Sequence, residues 1–480
     1  MNLEKFRNTL ENMYIIQTEE TFRQFAGLQY NPLIIQEIAK IKAKCSRLFL
    51  TSIKEPRKLF LSCLENLAED NTKTLENRLY LARNKRIIDK RFKINNNYVN
   101  WSNWRQFNAV EKKDENRKDV FDKFIAQTAF LKPVIKSRFD KIMTIYQQEG
   151  KINPLEGYLE SEGIKYDSLR DFIYELLGRA EKPFMEKIVK LSKEILNKNP
   201  EYFDDFYYFR NIVFREISNA FIDIDPIQSV SKTLKILNFN VKNISFDTEN
   251  RKNKYPSPIC FFIDIPSDIR ILYKRESPYF DFQGCYHESG HAMHATSISP
   301  KLEYEERYHI PMGITEIFSI FLERLTKNKK YLCNNIGITD ERKLEKITEL
   351  NNFMELFFVV FYSINSITKM KYWREKISID ETNRVYSQMF KKHMGIDMPG
   401  EYWMLHHILP ESIMYVPSYL LAAIRAAELE KKIEERFGVE WWRREEAGSF
   451  LKEIMEKGGK INLSEFSKLD SKVFLDEIMH

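Results

Sequence analysis

The sequence predicts a mainly helical protein that contains one small β-sheet. Its 480 residues include only 15 Gly and 16 Pro, which are too few for an all-β fold with many tight turns. From Leu3 to about Asn197, and again after Tyr273, apolar residues recur at spacings of three and four residues, as they do along amphipathic helices. With 43% hydrophobic residues, a chain of this length can bury a large core without disulfide bonds.

The segment with the clearest strand pattern runs from Leu237 to Tyr273. It contains three alternating or β-branched stretches, FNVKNISF, ICFFIDI and DIRILY, which are separated by Asn, Pro and Ser-Asp. We therefore expect a small sheet in this segment. It also suggests a division of the chain into an N-terminal helical domain over residues 1–235 and a second domain over residues 236–480.

The charge and the aromatic content argue against a nucleic-acid partner. The chain has 75 Lys and Arg against 69 Asp and Glu, and the resulting net charge of +6 is spread over its whole length. Basic runs such as residues 327–330 are typical of solvated helix ends. Aromatic residues make up 14% of the chain, and helix cores explain them better than base-stacking surfaces do.

The cysteines and the N-terminal residues indicate a cytoplasmic protein. The five cysteines are odd in number and form no CxxC pair, so we expect free thiols in a reducing compartment rather than disulfides. The first residues, MNLEKFRNTLENMY, contain acids and lack the apolar segment of a signal peptide. The most apolar run, Leu356 to Tyr362, is much shorter than the roughly 20 residues that span a bilayer. We expect no membrane partner.

A histidine motif follows directly after the predicted sheet. The first 286 residues contain no histidine, and His287, Glu288 and His291 then form an HExxH motif. Residues four apart lie on one face of a helix, so the two imidazoles could bind the same Zn²⁺. Glu288 lies about 100° further round the helix and could reach a water at the metal. Asp281 is a suitable N-cap for this helix. The alternative is a pair of surface histidines without a metal.

A catalytic zinc site needs a third protein ligand. The metzincin continuation of the motif is excluded, because His294 and Ser297 occupy the positions that it fills with Gly and His. A glutamate from the following helix is the other option. In GITEIFSIFLE, Glu316, Ser319 and Glu323 share one polar stripe on an otherwise apolar helix. A buried carboxylate with a purely structural role is the alternative for Glu316.

The segment HESGHAMH resembles the HExGHxxH motif of the thimet oligopeptidase and oligoendopeptidase F family of zinc metallopeptidases. The third ligand of that family lies 25 residues after the second histidine, which is the distance from His291 to Glu316. The oligoendopeptidase branch continues with Ser and Glu at the positions of Ser319 and Glu323. Upstream, PSPICFFIDIPSDIRI resembles the family's strand beside the substrate cleft. The resemblance covers roughly residues 259–427.

The resemblance implies a zincin-like (neurolysin-like) fold in which two helical lobes enclose a deep channel, with a small sheet next to the zinc helix. Residues 1–235 would form a channel wall, and residues 236–480 the catalytic lobe. It further implies one Zn²⁺ per chain, bound by His287, His291 and Glu316. Internal peptide bonds of short peptides would be hydrolysed by a zinc-activated water, with Glu288 as the general base.

A downstream segment resembles the histidine and tyrosine cluster that stabilises the transition state in this family. It contains His406, His407, Tyr415 and Tyr419, and the spacing to Tyr419 favours His407 over His406 as the functional histidine. The glycine-rich loop of the mammalian-type members is replaced by Ile-Leu-Pro. The resemblance places His294, Ser319, Glu323 and His406 around the ligands or the substrate.

Two other functions fit parts of the sequence. A related helical zinc peptidase that acts as a carboxypeptidase or dipeptidyl carboxypeptidase would need a cation for the C-terminal carboxylate of its substrate. Arg425 is a candidate for this cation, and the alternative is an ordinary arginine on a helix surface. A catalytically silent helical binding protein would not need the base, the three ligands and the oxyanion donors, yet the sequence contains all of them.

Overall fold

The structure is a computed structural model that describes residues 2–52, 55–82, 91–94, 97–100, 103–204, 216–251, 253–255, 257–275, 277–404 and 413–479. Helices dominate these residues, as the spacing of the apolar residues predicts, and the prediction of a mainly helical fold is confirmed. The helices before the three-stranded sheet are α1 (Leu3–Phe25), α2 (Pro32–Ser52), α3 (Arg57–Ala82), α4 (Trp104–Val110), α5 (Asp114–Ala126), α6 (Lys132–Ile145), α7 (Pro154–Glu162), α8 (Tyr166–Leu196), α9 (Glu216–Ser218) and α10 (Pro226–Ile236).

The helices that follow the sheet include the segment with the histidine motif. They are α11 (Pro278–Ala295), α12 (Tyr304–Tyr308), α13 (Met312–Glu323), α14 (Lys329–Tyr331), α15 (Glu341–Glu375), α16 (Ile379–Met394), α17 (Val416–Phe437), α18 (Glu445–Met455) and α19 (Ser471–Met479). Some of the helices begin and end at capping residues that the sequence supplies. At α7, Asn153 and Glu156 form a capping box, and Gly163 ends the helix in the left-handed conformation.

The described strands form two sheets. The first is an antiparallel pair, β1 (Phe92–Ile94) and β2 (Asn97–Val99). The second contains β3 (Ile244–Asp247), β4 (Ile259–Asp264) and β5 (Asp268–Leu272) in the order β3-β5-β4. β3 is parallel and β4 antiparallel to β5. The second sheet is the predicted one, which lies in the chain just before the histidine motif. The first sheet lies outside the predicted segment, because three-residue strands are too short for a period of two to emerge.

The described chain forms two compact units, each built from several segments. The first unit contains Met1–Asp70, Ile217–Thr348 and Leu421–Phe474, and the second contains Asn71–Glu216, Glu349–Leu420 and Leu475–His480. The predicted boundary between residues 235 and 236 does not coincide with these units. The physical reason is that α1 packs on the three-stranded sheet, so the start of the chain belongs to the same unit as the histidine motif.

Helix α1 covers one face of the three-stranded sheet in the first unit. Phe22 of α1 meets Phe261 of β4 edge to face, with the ring centroids 5.4 Å apart. The same buried cluster contains Ala26, Ile263 and Leu272. Because side chains alternate along a strand, Phe262 points to the opposite face, where its ring lies 6.4 Å from the ring of His291. The sheet therefore connects the N-terminal helix to the histidine motif.

In the second unit, long helices pack through apolar stripes and aromatic rings. Along α8 the buried apolar positions follow spacings of three and four: Leu169, Phe172, Ile173, Leu176, Leu177, Ala180, Phe184 and Ile188. Phe184 packs against Phe357 of α15, with ring centroids 6.0 Å apart. Phe361 of α15 likewise contacts Phe390 of α16 at 5.8 Å. These contacts follow the amphipathic pattern that the sequence predicts.

Helix α15 is the one helix of the described chain that is long and apolar enough to cross a membrane. Its apolar part is longer than Leu356 to Tyr362, the most apolar run of the sequence. Length and composition alone define this criterion, and a buried core helix meets it equally well. In α15, 83% of this apolar part is buried inside the protein, as expected of a core helix.

Candidate metal centre

Helix α11 carries the histidine motif and starts earlier than predicted. Its N-cap is Ser277, and Pro278 occupies the first helical position, where a fixed φ and a missing N–H are tolerated. The predicted N-cap, Asp281, lies one turn inside the helix instead. Its carboxylate accepts a hydrogen bond from the backbone N–H of Ser277 at 3.1 Å. The start of α11 is therefore fixed more than two turns before the first histidine of the motif.

The imidazoles of His287 and His291 lie one helical turn apart on the same face of α11. Their ring centroids are 5.1 Å apart and the rings are nearly perpendicular, at 82°. Both side chains are mostly buried, with exposed fractions of 19% and 12%. This is the arrangement that the four-residue spacing predicts.

Gly290 allows helix α13 to cross α11 at a very short distance. A Cβ atom at position 290 would lie 2.3 Å from the carbonyl oxygen of Phe318 and 2.6 Å from the Cα atom of Ser319. Both distances are far below van der Waals contact, so only glycine fits at this crossing. The glycine inside the motif therefore brings the backbone of α13, and with it Glu316, against the two histidines.

Three potential ligand atoms converge at this crossing. Glu316 Oε2 lies 3.4 Å from His287 Nε2 and 3.5 Å from His291 Nε2, and ligand atoms of the three residues lie within 4.8 Å of one another. Ligands about 2.0–2.1 Å from a tetrahedral zinc are about 3.3 Å apart, so both distances fit a single ion. Two imidazoles and a carboxylate are also a known donor set of catalytic zinc, with one position left for water or substrate.

Glu316 is the most deeply buried of the three residues, with 1% of its surface exposed. Ser319, one turn further along α13, donates a hydrogen bond from Oγ to Glu316 Oε2 at 2.8 Å. Burial by itself raises the pKa of the Glu316 carboxyl. The neighbouring His291 and His287 imidazoles outweigh this effect and hold the pKa well below its ordinary value. The carboxylate is therefore ionised, as a metal ligand must be.

The orientation of His287 is fixed from behind by Glu323. His287 Nδ1 donates to Glu323 Oε2 at 2.7 Å, so a metal ion would replace a proton on Nε2, the atom that faces Glu316. Burial lowers the pKa of His287, but the hydrogen bonds with Glu316 and Glu323 reverse the shift and raise it well above its ordinary value. Glu316, Ser319 and Glu323 thus act from the single polar stripe that the sequence of α13 shows.

Glu288 lies between the zinc helix and strand β4. Its Oε2 atom accepts a hydrogen bond from the backbone N–H of Cys260 at 2.7 Å. Burial raises the pKa of the Cys260 thiol well above its ordinary value, with a smaller contribution from Glu288, so this thiol is neutral at physiological pH. The contact holds one oxygen of Glu288 next to an edge strand and leaves Oε1 as its second proton-accepting atom.

His294 is completely buried and packs against Phe318 of α13, with ring centroids 4.4 Å apart. Neither of its ring nitrogens has a hydrogen-bond partner among the described residues. Burial, with a smaller contribution from His291, lowers the pKa of His294 to about 3. The observed contact is therefore packing between the two crossing helices, and His294 does not belong to the converging donor set.

The remaining predicted site residues form other contacts or lie outside the described residues. Arg425 is 4% exposed, so it is not a surface arginine, and its Nη1 donates to the carbonyl oxygen of Gly313 at 3.1 Å. In the second unit, the Tyr419 hydroxyl donates to the Tyr415 hydroxyl at 3.0 Å, and its ring stacks on Tyr362. His406 and His407 lie outside the described part of the chain.

Two features of the site have no signal in the sequence. The N–H of Cys260 that contacts Glu288 is a backbone group, so residue type does not reveal it. Behind α11, a chain of hydroxyls joins Tyr286 to Tyr331 at 2.6 Å and Tyr331 to Thr233 at 2.5 Å. Because these residues are far apart in sequence and are of types common in protein cores, the sequence does not predict that their hydroxyls are hydrogen-bonded.

Comparisons with known proteins support the fold. No protein-family model and no curated protein matches the sequence. A solved structure of PZ peptidase A with an inhibitor is similar, with a TM-score of 0.64 and 14% sequence identity over 96% of this chain and 85% of that one. At this level of identity the similarity concerns the fold alone, and the predicted mainly helical, zincin-like fold class is confirmed.

Proposed function

We propose that the protein is a zinc metallopeptidase that hydrolyses internal peptide bonds of short peptides. The observation that carries the proposal is the convergence of ligand atoms of His287, His291 and Glu316 within 4.8 Å of one another, with Glu316 3.4 and 3.5 Å from the two imidazoles. Glu288 follows His287 directly in the sequence. The fold adds support, because PZ peptidase A is a peptidase. The sequence resemblance to the oligoendopeptidase F branch supplies the preference for short peptides and internal bonds.

The three converging residues would hold one Zn²⁺ per chain. When bound, zinc polarises the scissile carbonyl and lowers the pKa of water toward about 7. The residues of this chain then have separate tasks. Ser319 and Glu323 keep the Glu316 carboxylate and the His287 ring in their orientations through hydrogen bonds of 2.8 Å and 2.7 Å.

Glu288 is the proposed general base. Its Oε2 is held by the N–H of Cys260, and we assign to Oε1 the proton of the attacking water, which it then delivers to the departing amine. The proposed donors to the oxyanion are His407, Tyr415 and Tyr419, on the basis of the sequence resemblance. Loss of one such donor typically lowers the rate by about 10²–10³.

The substrate backbone could bind along β4. This strand lies at the edge of the three-stranded sheet, so an extended peptide could add a strand beside Glu288. We further propose that two helical lobes enclose the cleft and exclude folded proteins. The free state of all five cysteines is consistent with a location in the cytoplasm, and we propose neither a membrane nor a nucleic-acid partner.

The carboxypeptidase alternative gains no support from Arg425. Its guanidinium is buried and contacts the backbone of α13. It therefore does not lie at an exposed position at which a substrate carboxylate could bind. A peptide with an amidated C-terminus separates the two activities, because an endopeptidase cleaves it and a carboxypeptidase does not. A catalytically silent binding protein would leave both the free and the amidated peptide intact.

The decisive experiment combines metal analysis with mass spectrometry of a mixed peptide library. Wild type should contain one zinc per chain and cleave internal bonds. Glu288→Gln should retain zinc and lose activity by at least about 10²-fold, since the proton acceptor is gone. Glu303→Gln, which changes an exposed glutamate outside the site, should match wild type. Wild-type activity in Glu288→Gln would refute the assignment of the base.

A further inference from the structure

The two N-terminal helices expose a concentration of large apolar side chains. Fifteen large hydrophobic residues are exposed in the described part of the chain, and six of them lie between positions 16 and 48. These six are Ile16, Leu28, Tyr30, Leu33, Ile41 and Leu48. Exposed apolar residues scattered singly need no explanation, but such clustering within one helical hairpin is typical of an interaction surface.

The apolar residues on α2 form a stripe on the face that points away from the core. Leu33, Ile41 and Leu48 are 63%, 47% and 57% exposed and lie within one solvent-facing sector of the helix, given 100° per residue. Ile35 and Ile38 on the opposite face are buried. The stripe is therefore additional to the core face of α2 rather than part of it.

Opposite charges lie between the apolar residues of this stripe. Glu37 follows Leu33 by one turn, and Lys44 precedes Leu48 by one turn. Both side chains are exposed. The stripe thus reads apolar, acidic, apolar, basic, apolar along the helix.

We propose that this stripe pairs with the same stripe of a second copy of the chain, in an antiparallel, two-fold symmetric contact centred between Lys40 and Ile41. The register that places Leu33 beside Leu48 of the second copy also places Glu37 beside Lys44 of the second copy. Both pairs occur twice because the contact is isologous. This self-complementarity is the reason to choose a second copy rather than an unrelated partner.

The dimer should be weak. A single helix pair buries less than the roughly 1,200–2,000 Å² of a standard stable interface. Exposed ion pairs contribute only about 0.2–1 kcal/mol each. We therefore expect reversible self-association that sedimentation experiments detect as a concentration-dependent mass, with Ile16, Leu28 and Tyr30 at the margin of the contact.

The first test is sedimentation equilibrium of the full chain with one apolar position changed. Ile41→Lys should weaken association by at least about tenfold, because the register places position 41 beside the exposed Lys40 of the second copy, so that only like charges then meet near the two-fold axis. The matched control is Ile222→Lys, since Ile222 is 59% exposed outside the hairpin. A monomeric wild type at every soluble concentration, or equal association of both variants, would overturn the proposal.

The second test uses charge reversal and is independent of burial. Glu37→Lys and Lys44→Glu should each weaken association by about tenfold, since each replaces two attractive pairs with two repulsive pairs. The double variant restores opposite charges in the same register and should regain wild-type association. If the double variant associates more weakly than both single variants, the antiparallel register is wrong.

The third test locates the axis. In a Cys45→Ser background, which removes the thiol one turn away, Ile41→Cys should form a disulfide-linked dimer under mild oxidation, and Ile222→Cys should not. A failure of Ile41→Cys to crosslink would refute the two-fold axis. Binding to anionic phospholipid vesicles that Ile41→Glu abolishes, without any self-association, would assign the surface to a membrane and overturn the dimer.

Discussion

The carboxylate of Glu323 is expected to control zinc affinity without touching the metal. It accepts the hydrogen bond from His287 Nδ1 at 2.7 Å, and loss of such a partner typically costs 10–100-fold in metal affinity or activity, as an order of magnitude. We predict that Glu323→Gln lowers zinc affinity by about 10–100-fold, measured by competition with a chromophoric chelator. Glu303→Gln is the control, and unchanged affinity in Glu323→Gln would contradict the orienting role.

Buried His294 is expected to make stability sensitive to acid. Its pKa falls from 6.5 to about 3 in the folded chain, so the unfolded chain binds a proton that the folded chain rejects. The contribution of neutral His294 to the free energy of unfolding is fully present above the pKa that this residue has in the unfolded chain. It decreases as the pH falls below that pKa, by about 2 kcal/mol at about pH 5.

The measurement is urea unfolding of the metal-free protein between neutral pH and about pH 5. His294→Phe keeps an aromatic ring against Phe318 and removes the titrating group. The difference in unfolding free energy between wild type and this variant isolates His294 from the other histidines. If wild type and His294→Phe lose stability in parallel, the neutral buried imidazole is not the cause.

At the level of secondary structure elements, the crossing of α11 and α13 is set by a single glycine. We predict that Gly290→Ala lowers the unfolding free energy by about 3 kcal/mol, because its Cβ would clash with the backbone of α13. It should also reduce zinc binding, since Glu316 would move away from the histidines. Gly284→Ala in the same helix meets only the Pro258 ring, at 3.0 Å, and should change stability by no more than about 1 kcal/mol.

These elements also show what the sequence can and cannot predict. The helix period and the four-residue spacing lie within single segments, so α11 and its two facing imidazoles follow from the sequence alone. The polar stripe of α13 makes Glu316 a candidate third ligand, but the choice between a ligand and a structural carboxylate rests on the family resemblance, because its proximity to the histidines depends on a helix crossing. The burial of Arg425 and the position of the Cys260 N–H beside Glu288 are set by tertiary contacts. Local sequence patterns do not predict such contacts.

For the whole molecule, the division into two units was the harder prediction. Both are built from distant segments, and no local composition change marks the passage of the chain between them. The sequence suggested a boundary at the onset of strand character, whereas α1 joins the sheet through the contact of Phe22 with Phe261. Long-range packing of this kind is decided by complementary surfaces rather than by periodicity.

The proposed enclosed cleft predicts a limit on substrate size. Short unstructured peptides should be cleaved, and a stably folded protein that contains the same cleavable segment should resist. Excision of the segment as a free peptide should restore cleavage. Mass spectrometry of the products checks this, and equal rates on the folded protein and the free peptide would argue against the enclosure.

Helix α13 supplies Glu316, the Ser319 hydroxyl that binds it and the Glu323 carboxylate that aligns His287. All three side chains belong to one rigid segment, so a roll of the segment by one residue, about 100°, would withdraw them together. A centre that keeps some of these contacts and loses others is therefore disfavoured, because the three side chains move together. The site should be either completely formed or completely lost, and its transfer to another protein scaffold would require the whole of this helix.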